Sequence, residues 1–126
     1  MWNKGFLQAI EVGKLVSEQL PKSISSFKMF GFDITEFDSN EWYYIEALQN
    51  CREQGITIWI PNVAGKESLT FYVCINRYSD DIGFYYGKHT FHGVSQEAYK
   101  QGFNSFASIN GCAEAIALHI KGYMGL

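Results

Sequence analysis

A basic excess is missing from this chain: Lys and Arg number 10 against 13 Asp and Glu, for a formal net charge of -3 and a pI near 5.5. Nucleic-acid binders ordinarily carry a surplus of positive charge to neutralise phosphates, so direct nucleic-acid binding is disfavoured. Proline is scarce at 2 residues, and no long apolar run or low-complexity tract is present. No stretch approaches the roughly 20 residues that a membrane-spanning helix requires. Three cysteines are too few for a disulfide scaffold, and their spacing does not suit a structural metal site. No Asn-x-Ser/Thr acceptor and no charged-then-apolar leader pattern occurs. The expectation is a soluble, cytoplasmic protein with all three thiols reduced, free of metal and cofactor.

What the chain does have is core-forming material, with 47% hydrophobic and 17% aromatic residues over 126 positions. That length and composition predict one domain spanning 1–126 that buries a sizeable core. Asn3 to Leu20 places Phe6, Ala9, Ile10, Gly13, Val16 and Leu20 on one stripe, and Pro21 follows. The spacing predicts an amphipathic helix. Met29 to Phe37 alternates loosely and reads equally as a short strand or an extended loop. Asp38, with Glu41 three residues later, resembles a helix start. The predicted helix runs to Glu53 with Gly55 as its cap, and it puts Tyr44, Ala47, Leu48 and Cys51 on the apolar side.

The period then changes to two. Ile56, Ile58 and Ile60 form one face of a strand ended by Pro61, and Leu69 to Tyr78 alternates Leu69, Phe71, Val73 and Ile75 against Thr70, Tyr72, Cys74 and Asn76. Ile82 to Phe91 follows a turn at Ser79–Asp81 and predicts a third strand of an antiparallel meander. Helical spacing returns, with Ser95 as cap for Tyr99, Phe103 and Phe106, and then with Ile109, Cys112, Ala113, Ile116, Ile120 and Tyr123. The pattern predicts an α+β fold: an antiparallel sheet of three or more strands with N- and C-terminal helices packed on it.

Catalytic patterns are weak. Ala64-Gly65-Lys66-Glu67 lacks the first glycine and the hydroxyl of a phosphate-binding loop. His89 and His92 are three apart on a predicted strand, which sends them to opposite faces. Asp80 and Asp81 read as turn formers. Cys112, near a helix start and with His89, His92 or His119 as base, would serve a cysteine-dependent hydrolase, yet it lies on the same apolar stripe as Ile116 and Ile120. The favoured expectation is a non-enzymatic protein.

Charge is unevenly distributed. Met29 to Cys51 holds Asp33, Glu36, Asp38, Glu41 and Glu46 with no Lys or Arg, together with Phe30, Phe32, Phe37, Trp42, Tyr43 and Tyr44. An acidic, aromatic surface of that kind suits a basic protein partner, with carboxylates speeding encounter and an aromatic anchor slowing release. The expected partner-binding residues are Asp33, Glu36, Asp38, Glu41, Trp42 and Glu46. Small size, acidity and the want of a catalytic motif fit the profile of a toxin-neutralising immunity protein, or of a secretion chaperone for an effector.

Overall fold

The computed structural model describes residues 2–22, 24, 27–36, 51–61, 68–88 and 103–125. Helix α1 covers Lys4–Gln19 and begins where the Asn3 side chain accepts a hydrogen bond from the Phe6 N–H at 3.0 Å. Such a cap satisfies one of the donors that a helix start leaves open. The helix stops at Leu20, whose backbone is extended because Pro21 follows. Phe6, Ala9, Val12, Gly13 and Val16 make its buried stripe. A side chain at Gly13 would run into Met29 Sδ and Ile56 Cδ1, so a residue without a Cβ lets α1 lie directly on the sheet.

Strand β1 covers Lys28–Asp33 and passes into a short 3₁₀ turn at Ile34–Glu36. Strands β2 (Cys51–Ile60), β3 (Leu69–Asn76), β4 (Ile82–Lys88) and β5 (Asn104–Phe106) follow, and α2 covers Ile109–Tyr123. Among the described residues the strands form one antiparallel sheet in the order β1-β2-β3-β4-β5. The β3–β4 hairpin closes at Asn76, whose Oδ1 accepts from the Tyr78 and Ser79 N–H groups, while Asp80 takes a positive φ. Short polar side chains stabilise such turns locally. The Ser108 hydroxyl accepts from the Gly111 N–H and starts α2.

Both helices cover the same face of the sheet, where Ile56, Ile58, Phe71, Val73, Phe84, Cys112 and Ile116 share one core. The expected α+β arrangement is therefore present. Alternation along β3 is also present, but its second face is not solvated: Phe32, Cys51, Tyr72, Cys74 and Tyr85 form a second buried cluster with Ile34 and Phe103 against it. β3 is the middle strand, and a strand covered on both faces reads as a continuous apolar run.

Four expectations change. The undecided segment after Met29 is a strand over its first half, because residues 28–33 pair in register with Trp59 through Gln54. The helix expected from Asp38 to Glu53 does not reach its predicted end: Cys51, Arg52 and Glu53 belong to β2, and Gly55 pairs with Cys74 rather than capping a helix. Residues 38–50 lie outside the described residues. Phe103 and Phe106 are not on a helix either, since Phe106 pairs with Ile82 and Asn104 with Phe84 across β4 and β5. Ladder bonds to an existing edge outweigh a weak helical periodicity.

The fourth change concerns the cysteines. Cys51 and Cys74 form a disulfide with Cα atoms 5.6 Å apart, so the three thiols are not all free. The tertiary pairing decides this, because the bulge between Cys51 and Gly55 sets Cys51 beside Cys74 across the β2–β3 ladder. Only Cys112 is a free thiol.

Candidate functional site

The first residue of the expected partner surface, Asp33, ends β1 opposite Gln54 on β2. Its Oδ1 accepts from the Thr35 hydroxyl at 2.6 Å and from the Thr35 N–H at 2.9 Å. Its Oδ2 accepts from the Gln54 amide at 2.9 Å. These bonds, the Thr35 hydroxyl first and Gln54 next, hold the carboxyl below the ordinary Asp value of 3.8. Hydrogen bonds that favour the charged form have that effect. Asp33, negative at neutral pH as any ordinary Asp is, is fixed in position by these bonds where the acidic stretch begins.

Gln54 is buried and ties this corner together. Its carbonyl oxygen accepts from the Asn3 N–H at 2.5 Å while its amide donates to Asp33. The start of α1, the end of β1 and the beginning of β2 meet at this one side chain. Beside it the β2 bulge puts Glu53 in a left-handed conformation and turns Arg52 outward to pair with Asp80. A cleft of about 150 Å³ lies here, lined by Lys4, Gly5, Gln8, Arg52, Ile75 and Asp80. Sequence reasoning missed Gln54, because a glutamine two residues before an apolar strand carries no signal that it will be buried. Asn3 was legible in principle, as an asparagine just ahead of a helical stripe.

The other expected site residues are placed unevenly. Glu36 closes the 3₁₀ turn after β1. Asp38, Glu41, Trp42 and Glu46 lie outside the described residues, as do His89, His92 and residues 64–67. Asp33 ends β1 and Glu36 ends the turn that follows, and of the two aromatic residues on that strand Phe30 is exposed while Phe32 is buried.

Of the residues of the enzymatic alternative, Cys112 and His119 are described, and Cys112 is not exposed as a nucleophile. Cys112 is fully buried on α2, and burial pushes its thiol up to about 12. A thiol of that kind is protonated at neutral pH and shielded from substrate. His119 lies against the Phe71 and Tyr86 rings, 5.9 and 4.1 Å between ring centres, and partial desolvation lowers its pKa. Among the described residues no three His, Cys, Asp or Glu side chains converge as a metal site. Among the same residues no helix is long and apolar enough to cross a membrane.

Compared with family models, with curated proteins and with solved structures, the chain matches none.

Proposed function

We propose that this chain is a non-enzymatic binding protein that neutralises a basic protein partner, in the manner of an immunity protein acting on a nuclease toxin. The observation that carries the reading is the carboxylate of Asp33, held in position by Thr35 and Gln54 at the head of a stretch of five acids with no base. A preset charge loses little side-chain entropy when it meets a cation on a partner. A nuclease presents a positive groove to its substrate, so an acidic surface competes for that groove as nucleic acid does. Asp33, Glu36, Asp38, Glu41 and Glu46 supply the charge in this reading, and Trp42 supplies the anchor.

The buried, protonated Cys112 supports a binding role over a hydrolase. The reading places the protein in the cytoplasm, and the Cys51–Cys74 disulfide counts against that part of it, because cytosolic reductants keep such pairs open. The free-thiol count of protein alkylated at the moment of cell lysis tests that location: three thiols agree with it and one opposes it.

The test of function is surface binding kinetics with the product of the adjacent gene at two salt concentrations. The variant with Glu36→Gln, Asp38→Asn and Glu41→Gln is expected to associate more slowly and with a flatter salt dependence, whereas Trp42→Ala raises the dissociation rate. Equal association rates for parent and amide variant at low salt would sink the acidic surface. Nuclease activity retained by the complex would favour an escort over an inhibitor.

A further inference from the structure

Strand β1 is the outer strand of the described sheet, and hydrogen-bond parity shows which of its groups face away from it. The Asn76 N–H donates to the Asp81 C=O at 2.8 Å, making that pair a bonded one at the mouth of the β3–β4 hairpin. Bonded and non-bonded pairs alternate along an antiparallel ladder. Following the registers inward, the even residues of β3 bond to β4, the odd residues to β2, and Gly55, Thr57 and Trp59 of β2 bond to Phe32, Phe30 and Lys28. Met29, Gly31 and Asp33 therefore aim their backbone N–H groups outward. Met29 and Gly31 also aim their carbonyls outward, and among the described residues nothing accepts from or donates to these groups.

The edge is apolar on both sides. Trp2 (47% exposed) stacks on Phe6 and spans the helix-side surface of Gly31, Met29 (37%) sits next to it, and Phe30 (40%) stands on the opposite face. Exposed, apolar edge strands are templates for another strand, and native chains usually blunt them with charge or proline. In β1 charge stands at the two ends, Lys28 and Asp33, and the four residues between them carry neither charge nor proline.

We propose that β1 pairs antiparallel with β1 of a second copy of this chain, about a two-fold axis at Gly31, joining two sheets into one. The axis is perpendicular to the sheet, so residues of equal parity must face each other, and pairing Gly31 with itself obeys that condition. Gly31 exchanges N–H to C=O bonds with Gly31 of the second copy. The Asp33 N–H donates to the Met29 carbonyl of the other chain, and Phe30 comes beside Phe32, the close pair of the ladder. Charge fits the antiparallel sense only end to end: the Lys28 end of one strand lies along the Asp33 end of the other, with the two side chains on opposite faces of the sheet. A parallel arrangement would set acid against acid. This pairing does not depend on the reading of the acidic stretch as a toxin-binding surface.

Sedimentation equilibrium over a concentration series reaching the high-micromolar range tests it. The parent mass is expected to rise toward twice the 14.4 kDa chain mass. Phe30→Lys, which sets a cation on each edge, is expected to stay at one chain, and Ser105→Lys on β5 at the opposite edge is expected to dimerise like the parent. Amide hydrogen exchange on the unmodified protein supplies a readout independent of any variant. Gly31 and Asp33 amides are expected to exchange at least tenfold more slowly when concentrated than when dilute, while Phe30 and Phe32 amides stay protected at both. A parent that remains at one chain throughout, a Ser105→Lys protein that alone loses dimerisation, or Gly31 exchange that ignores concentration would each overturn the pairing.

Discussion

Gln54 on β2 and Asp33 on β1 face each other across the ladder, and the buried amide of one donates to the carboxylate of the other at 2.9 Å. The same glutamine receives the Asn3 N–H, so a single side chain fixes both where α1 begins and how the β1 carboxylate is aimed.

Replacing Gln54 by Ala removes both bonds and leaves the partly buried Asn3 N–H without an acceptor. The cost is expected to be about 1–3 kcal/mol, the range for stranding a buried polar group. Urea denaturation measures it, and the Asp33 carboxyl titration followed by NMR should move up toward the ordinary Asp value in the same variant. An unchanged titration would mean that Thr35 alone holds the charge.

Asp33 also sets a pH dependence. Its folded pKa lies below the ordinary value of 3.8, so the unfolded chain binds the proton more tightly. Its contribution is complete above the ordinary carboxylate range and is lost as pH falls through the lower folded value. Asp33→Asn is therefore expected to be less stable than the parent at neutral pH, with the gap closing in strong acid. Urea midpoints of the two proteins from pH 7 downward measure this; a gap that widens toward acid would reverse the sign.

The Cys51–Cys74 disulfide closes a loop with a sequence separation of 23. Chain-entropy arithmetic for a loop of that size gives about 3 kcal/mol. A reducing agent, or the Cys51→Ala, Cys74→Ala double variant, is expected to lower the thermal midpoint by several degrees. Calorimetry with and without reductant reads the difference directly, and coincident traces would mean that the bond does not form in solution.

Cys112 is expected to resist a thiol reagent at neutral pH until the protein is unfolded, because the thiol is buried and its pKa is pushed up to about 12. Rapid labelling of the native, non-reduced protein would restore the hydrolase alternative.

Phe71 has no exposed surface and touches the rings of Phe84, Tyr86 and His119. Phe71→Ala is expected to cost about 3–5 kcal/mol in urea denaturation, the range for emptying a buried aromatic site. Phe71→Asp should not fold, since the site is buried among apolar side chains and the His119 ring beside it has its pKa lowered by desolvation, which favours the neutral form over a compensating cation. A folded, soluble Phe71→Asp protein would contradict the strand register.

By itself the sequence determined the two terminal helices, the β2–β3–β4 meander and the helix-side core, because period-3.6 and period-2 patterns are properties of neighbouring residues. Ile56, Ile58, Phe71, Val73 and Ile116 are core positions by spacing alone. It also determined where negative charge accumulates, since that is a count along the chain.

Only the tertiary structure decided the rest. Whether residues 28–33 are strand or loop depended on β2 offering them an edge, and Asn104–Phe106 became strand for the same reason at β4. Cys51 reads equally well on a helix stripe or beside a strand, and it was the irregular pairing before Gly55 that set it against Cys74. Gln54 drew its role from two segments 51 and 21 residues away. Contacts of that separation leave no periodic trace in the chain, so no local pattern encodes them.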